Sequence, residues 1–147
     1  MAYDFFGIPV SELNVWLIWI LPFAAAMIIP AVGKFSKLTT GRVAVAFAAM
    51  SAISAATLFP MALGAHEIHH QIMWIDAIGL KAGVLADPLS VIMSNVVGWI
   101  SFLIMCYSTG YMKGDKDITR FWFWMMFFIG SMQLIILSDN LLQVFFG

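Results

Sequence analysis

Four long apolar runs, separated by short polar segments, dominate the hydropathy pattern of this 147-residue chain. They cover about residues 13–32, 43–64, 88–112 and 121–137. A helix needs roughly 20 apolar residues to cross the hydrocarbon core of a bilayer, and each run approaches that length. The pattern therefore predicts an all-α integral membrane protein, with four transmembrane helices in a single membrane domain, residues 1–147.

Local signals refine the ends and the packing of these helices. Asp87 is a typical N-cap, and Pro88 then occupies the first helical position, where its missing N–H costs nothing. Pro22 and Pro30 should kink the first helix or end it early. The second run is crowded with alanine and serine, which let helix backbones approach closely in lipid, so we expect that helix inside a bundle.

A fifth apolar helix begins near the end of the sequence. Ser138, Asp139 and Asn140 have the character of an N-cap, and a truncated helix should run from about residue 140 to Gly147. It is too short to cross a membrane, and backbone carbonyls left unpaired in lipid cost several kcal/mol each. We expect that another chain shelters this helix or that the sequence is the front part of a longer protein.

The segment between the second and third runs has a different pattern. Residues 73–76 and 80–85 are two short apolar stretches that flank Ala77, Ile78 and Gly79. Glycine is the residue that tight hairpin turns prefer. The pattern predicts a small β-hairpin on the outer surface of the membrane.

Composition supports a membrane protein and excludes several other classes. The chain is 63% hydrophobic and only 10% charged, whereas soluble domains average about 25% charged residues. A net charge of −1 and the lack of a basic tract argue against nucleic-acid binding. The single cysteine, Cys106, excludes a disulfide or a multi-cysteine metal site within the chain.

The distribution of lysine and arginine predicts the orientation. Two loops, on the same side of the predicted bundle, hold most of these residues: Lys34, Lys37, Arg42, Lys113, Lys116 and Arg120. The opposite side has only Lys81. By the positive-inside rule, the basic loops are cytoplasmic and the N-terminus is outside. Asp4 and Glu12, with no cation beside them, are also unlike a signal peptide, so the first helix should stay in the membrane.

One short motif suggests a zinc site. Residues 66–70 read His-Glu-Ile-His-His, which matches the H-E-x-x-H pattern of metalloproteases. That chemistry needs a helix and a third protein ligand. The motif follows the end of the second run, and no partner motif stands out elsewhere, so we interpret it as a polar outer loop and predict no metal site.

Two polar residues are candidates for a proton path, since polar groups within the membrane often mark one. Asp139 lies about 28 Å from Arg120 along a helix axis, near the outer interface, and an N-cap role fits it better. Gln133 lies in the middle of the fourth run, where it could line a hydrated path; a hydrogen bond to a neighbouring helix is the favoured role. We predict no catalytic residue and no cofactor in this chain.

Five short motifs after residue 86 resemble a known family. They are Asp87-x-Leu89-Ser90, Tyr107-Ser108-x-Gly110-Tyr111-Met112, Arg120-Phe121, Ser138-Asp139-Asn140-Leu141-Leu142 and Gly147. In order and spacing they resemble the N-terminal region of the antiporter-like L subunit of respiratory complex I, also known as subunit 5 of NADH dehydrogenase. Related proteins share this region: the large subunit of Mrp-type cation/proton antiporters, membrane-bound hydrogenase subunits and archaeal deazaflavin-dependent dehydrogenases.

The resemblance implies a proton-pumping membrane subunit of a redox enzyme. Family members move protons along a central axis of buried Lys, Glu and His residues, driven by redox chemistry in a distant arm. The first of these residues is a Glu that follows a Trp just after the position of Gly147, and the pumping lysines lie in later helices. No residue of this sequence matches a proton-carrying position, so the chain should not pump protons by itself.

The resemblance also implies partners and a location. We expect other membrane subunits of a complex I-like assembly, the remainder of the antiporter-like subunit, and lipids, in a prokaryotic inner membrane. The alternative is the N-terminal part of an Mrp-type antiporter, which transports ions without electron transfer. Co-purification with iron–sulfur subunits would separate the two, and a stand-alone scaffold that ends at Gly147 is a third hypothesis.

Overall fold

Six helices and two strands form the structure, a computed structural model that describes residues 10–63, 68–75 and 80–147. In chain order they are α1 (Val10–Gly33), α2 (Lys37–Thr57), α3 (Phe59–Leu63), β1 (Ile68–Ile75), β2 (Leu80–Ala86), α4 (Pro88–Tyr111), α5 (Ile118–Ile136) and α6 (Leu141–Phe146). Among the described residues, α1, α2, α4 and α5 are long and apolar enough to cross a membrane. The prediction of a helical integral membrane protein with four spans is confirmed.

The four long helices form one bundle in which α1 and α2 are central. Helix α1 packs against α2 and α5, and α2 packs against α4 on its other side. Four alanines at helical spacing on α2 are almost completely buried: Ala44, Ala48, Ala52 and Ala55. Because an alanine side chain is a single methyl group, its neighbours can approach the α2 backbone closely. This explains why the most alanine-rich helix lies inside the bundle.

Prolines affect the first two apolar runs in different ways. Helix α1 continues through Pro22 and Pro30, so neither proline ends it. The second apolar run, expected as one helix to residue 64, instead breaks: α2 ends at Thr57, and α3 begins at Phe59. Pro60 explains the break, since it has no N–H to donate and its ring clashes with the carbonyl four residues earlier. The Leu58 amide instead bonds to the Ala55 carbonyl at 3.2 Å, which tightens the last turn.

Two apolar clusters fill the two ends of the bundle. The cluster at the hairpin end joins residues of the long helices, their C-caps and strand β2: Val15, Ile18, Ala55, Leu58, Val84, Ala86, Val91 and Leu137. The cluster at the end with the basic loops is built from helices alone: Ala25, Ala26, Ile29, Ala44, Ala48, Met105, Trp122, Met126 and Ile129. The hairpin is therefore part of the core at one end only.

The predicted hairpin is present. Strands β1 and β2 pair antiparallel, from Ile68 opposite Ala86 to Ile75 opposite Leu80, with an irregularity between Met73 and Ile75. Strand β1 begins five residues before the predicted residue 73, because pairing with β2 continues back to Ile68. The turn expected at residues 77–79 lies outside the described residues.

Strand β2 also binds the segment that connects α5 to α6. The Leu85 amide donates to the Leu137 carbonyl at 3.0 Å, and the Gly83 amide donates to Oε1 of Gln143 at 3.2 Å. Val84 and Ser138 form an isolated antiparallel bridge between these two bonds. The hairpin and the start of α6 therefore hold each other in place.

Candidate functional site

A polar pair joins α4 to α5 inside the apolar bundle. Gln133 on α5 and Ser94 on α4 are at most 1% exposed. The Ser94 hydroxyl donates to Oε1 of Gln133 at 2.7 Å, and Nε2 of Gln133 donates back to the Ser94 carbonyl at 3.1 Å. The two bonds form a closed, neutral clamp, the geometry expected of polar side chains that hold membrane helices together.

Gly98 on α4 leaves room for this clamp. It lies one turn after Ser94, and a Cβ built on it would lie 3.3 Å from the Ala52 Cα and 3.5 Å from Nε2 of Gln133. A side chain at position 98 would therefore push α2 away from α4 and press on the amide of Gln133. Helices α2, α4 and α5 meet at this point because α4 has no side chain there.

Other hydrogen bonds within the bundle are neutral as well. Nδ2 of Asn95 donates to the Ala55 carbonyl at 2.8 Å and to the Val91 carbonyl at 2.9 Å. The Ser51 hydroxyl donates to the Ile18 carbonyl at 2.6 Å. The sequence places no Asp, Glu, Lys, Arg or His in residues 13–33, 43–57, 88–111 or 121–136. These polar groups can donate and accept hydrogen bonds, but none of them gains or loses a proton near neutral pH.

The structure separates the two candidate proton-path residues. Gln133 lies within α5, whereas Asp139 is half-buried in the connection between α5 and α6. The Asn140 carbonyl accepts the Val144 amide at 3.1 Å, the first helical bond of α6, so Asn140 is the residue that starts that helix. Asp139 precedes it by one position, in the segment that binds β2.

Asp87 forms the predicted cap of α4. Its Oδ1 accepts the Ser90 amide at 2.9 Å, and Pro88 follows at the start of the helix. Hydrogen bonds from the Ser90 hydroxyl and, to a lesser extent, the Ser90 amide lower the pKa of the Asp87 carboxyl, although partial burial opposes them. Asp87 therefore stays ionised at neutral pH and favours the start of α4 through its charge as well as its bond.

The described part of the zinc-protease pattern lies on a strand, so the interpretation of the motif as a polar outer loop was wrong for residues 68–70, which pair with β2. Residues 68–70 of the motif belong to β1, while His66 and Glu67 lie outside the described residues. Within the described part of the chain, no three His, Cys, Asp or Glu residues lie close enough together to hold a metal ion.

Sequence analysis missed a groove at the basic end of the bundle, between the N-terminal part of α2 and the C-terminal part of α4. It has a volume of about 980 Å³, and Trp122 of α5 contributes to its wall. Small residues on both helices, such as Ala46 and Gly110, leave this space open. Their presence in the sequence was a signal, but small residues predict close packing as readily as a gap.

Comparisons with known proteins point to one family. A family model described as the N-terminus of chain 5 of NADH-ubiquinone oxidoreductase (complex I) matches residues 73–122. The NADH-quinone oxidoreductase subunit L of Rickettsia bellii is 35% identical over 136 residues, which cover 89% of this chain and 21% of that protein. The chloroplastic NAD(P)H-quinone oxidoreductase subunit 5 of Spinacia oleracea is 33% identical over 140 residues, which cover 88% of this chain and 19% of that protein.

The family model covers three of the five motifs on which the resemblance depends, from Asp87 to Arg120 and Phe121, whereas the motif at residues 138–142 and Gly147 lie outside it. The chain spans about one fifth of the length of the curated relatives that it matches. Over nearly nine tenths of its own length, this chain is a homologue of the N-terminal part of the subunit L and subunit 5 family of quinone oxidoreductases.

Proposed function

We propose that this chain supplies the N-terminal helices of an antiporter-like subunit in a complex I-like, proton-pumping oxidoreductase. The observation that carries the proposal is the match of almost the whole chain to proteins named as quinone oxidoreductase subunit L or subunit 5. The described spans fit such a part, since they form an apolar bundle whose polar contacts are neutral. Other membrane subunits of the assembly and the rest of the antiporter-like subunit are the proposed partners.

Within such an assembly, the proposed task of this region is structural. Proton paths through membranes are typically built from Asp, Glu, Lys or His residues, and the four apolar spans contain none of these. The clamp between Ser94 and Gln133 fixes α5 against α4. We propose that α5 in turn positions the later helices that carry the proton.

We propose that Gln133 joins α5 to α4, the role that the sequence favours, and that Asp139 belongs to the segment before α6, where Asn140 and not Asp139 holds the N-cap position. If Gln133 serves to join the helices, Gln133→Leu lowers the amount of assembled complex, and each complex that does assemble pumps protons normally. In Asp139→Asn, which keeps the shape of the side chain, proton translocation per electron stays unchanged. A loss of translocation at normal quinone reductase activity would instead place the residue on a proton path.

We further propose that the protein resides in a prokaryotic inner membrane with its N-terminus outside and its basic loops in the cytoplasm. The charge distribution supports this orientation, because Lys34, Arg42, Lys113 and Lys116 all lie at one end of the bundle. We expect that a cysteine introduced at Lys34 reacts with a membrane-impermeant reagent only after the cells are lysed. Reaction in intact cells would reverse the orientation.

Purification of the native protein tests the proposal as a whole. An affinity tag on the chromosomal gene should recover iron–sulfur and other quinone oxidoreductase subunits, together with NADH:quinone reductase activity. An untagged strain, carried through the same purification, is the control. Recovery with the subunits of a cation/proton antiporter and without iron–sulfur proteins would overturn the assignment to a redox enzyme.

A further inference from the structure

The groove at the basic end combines an apolar floor with a charged mouth. Its walls within the bundle come mainly from Val45, Ala46 and Ala49 on α2, and from Cys106 and Gly110 on α4. A volume of about 980 Å³ lies at the upper end of the range of pockets that bind small molecules. Both walls belong to helices that are long and apolar enough to cross a membrane, so the apolar part of the groove is at a depth that acyl chains can reach.

Three cations and one anion surround the mouth of the groove: Arg42, Lys113, Lys116 and Asp115. Arg42 and Lys113 are exposed, and neither makes a hydrogen bond or an ion pair with another described residue. One carboxylate oxygen of Asp115 already makes a hydrogen bond within its own turn, since Oδ1 accepts the Asp117 amide at 3.0 Å. The mouth therefore has an excess of positive charge.

A buried polar group also faces this region. Trp122 is 0% exposed to solvent, lines the groove, and has an indole N–H with no hydrogen-bond acceptor among the described residues. The edge of this indole packs against Gly41, which is another residue of the groove wall. A buried N–H without an acceptor costs free energy, and a ligand oxygen entering at the mouth could accept that bond after a small shift of the ring.

We propose that this groove binds one anionic phospholipid of the surrounding bilayer. An acyl chain lies along the alanine face of α2, and the phosphate sits at the mouth between Arg42 and Lys113. This occupant matches the two unlike parts of the site, an apolar channel and, at its mouth, the exposed cations Arg42 and Lys113, which have no partner among the described residues. A water-soluble anion would leave the apolar channel unfilled, and an apolar helix would leave the cations unpaired.

Native mass spectrometry of the purified full chain in detergent tests the proposal. The probes are phosphatidylglycerol and phosphatidylcholine with identical acyl chains, supplied at equal concentration. We expect one tightly retained phosphatidylglycerol and weaker retention of phosphatidylcholine. Replacing both Arg42 and Lys113 with glutamine should weaken phosphatidylglycerol binding by roughly five-fold for each cation removed and leave phosphatidylcholine unchanged.

Two further variants separate the charge from the groove. Lys34→Gln removes an exposed cation at the same end of the bundle that does not line the groove, so binding should not change. Gly110→Leu fills the channel and should weaken binding of both lipids. A Cβ at position 110 meets no atom within 4 Å, and leucine favours helix more than glycine does, so this variant should fold.

Cys106 provides an internal probe, because it is the single cysteine, is exposed and lines the groove. Added phosphatidylglycerol should slow its reaction with an apolar maleimide, and phosphatidylcholine should slow it less. Equal retention of the two lipids, or binding unaffected by the double variant, would overturn the proposal. A Cys106 that stays unreactive in the isolated assembly after removal of its lipids would identify a protein segment as the occupant and would overturn it too.

Discussion

The two halves of α4 carry one glycine each, and the two glycines differ in how closely a neighbouring helix packs against them. At Gly98, in the half near the hairpin, an added Cβ would lie 3.3 Å from the backbone of α2. At Gly110, in the half near the basic loops, the same addition would meet nothing within 4 Å. A glycine in a membrane helix is therefore not by itself a sign of close packing, since the neighbouring helix decides whether the space is used.

The difference extends to the surroundings of each half. Around Gly98 lie the buried clamp of Ser94 and Gln133 and the bonds of Asn95 to the α2 backbone. Around Gly110 lie an open groove and exposed cations. The first half joins three helices rigidly, and the second leaves a space that a molecule from outside the chain can fill.

Leucine at each glycine tests this contrast and should give the largest effect. Gly98→Leu forces α2 and α4 apart at a backbone contact, and we expect a loss of about 3 kcal/mol or more in the free energy of unfolding. Gly110→Leu adds the same atoms in open space and should leave the stability unchanged or slightly higher. Unfolding by sodium dodecyl sulfate in mixed micelles, followed by circular dichroism, measures both variants.

The two variants are controls for each other, because they add the same side chain to the same helix. Equal losses at positions 98 and 110 would mean that leucine disturbs α4 wherever it is placed. Equal tolerance would mean that α2 and α4 are not held together at Gly98.

The clamp gives the next largest effect. Gln133→Leu and Ser94→Ala each remove the interhelical side-chain bond, so their costs should not add. A double-mutant cycle should give a coupling free energy of about 0.6 to 1.7 kcal/mol, which are the average and the maximum found for hydrogen bonds between membrane helices.

A serine in the other half of α4 is the control for this cycle. The Ser108 hydroxyl bonds within its own helix, to the Ile104 carbonyl, and lies roughly 21 Å from Ser94 along α4. Ser108→Ala combined with Gln133→Leu should therefore be additive. Coupling as large as that of Ser94 would show that the two halves of α4 are not independent.

Local patterns in the sequence were sufficient for much of the fold. The apolar length of each run predicts a span, and Asp87-Pro88 predicts the start of α4, because both signals act within one element. The hairpin was also predictable from two apolar stretches around a glycine. The break of the second run at Leu58 had a local signal in Pro60, but the same residue type interrupts nothing in α1.

The candidate site could not be predicted in the same way, because it depends on contacts between elements, and a pattern within one element does not contain them. Gln133 was recognisable as a polar residue in an apolar helix, but its partner on α4 depends on how two helices rotate against each other. The same holds for the bonds between β2 and the residues before α6, which join segments about 50 residues apart. The groove was hidden for a further reason: small residues permit both contact and space, and only the positions of α2 and α4 distinguish the two.

The N-caps of α4 and α5 lie at opposite ends of the bundle and also differ from each other. Substitutions at these caps should have the smallest effect on stability. Asp87 accepts the Ser90 amide at the hairpin end, whereas Asp117, at the N-cap position of α5 at the basic end, makes no side-chain capping bond. Asp87→Ala should therefore cost about 1 kcal/mol in the free energy of unfolding, and Asp117→Ala should cost much less.

The pH dependence of the Asp87 cap has a definite sign. The folded protein lowers the pKa of this carboxyl, so its charge stabilises the fold fully above the ordinary pKa of about 4. The stabilisation is lost as the pH falls below 4 towards the lowered pKa, where the folded state also takes up the proton. Asp87→Asn keeps a capping oxygen without the charge, so the wild-type advantage over this variant should be present at pH 7 and shrink by pH 3. Unfolding measured at pH 7, 5 and 3 checks this, and equal stability of the wild type and Asp87→Asn at pH 7 would show that the cap acts through its hydrogen bond alone.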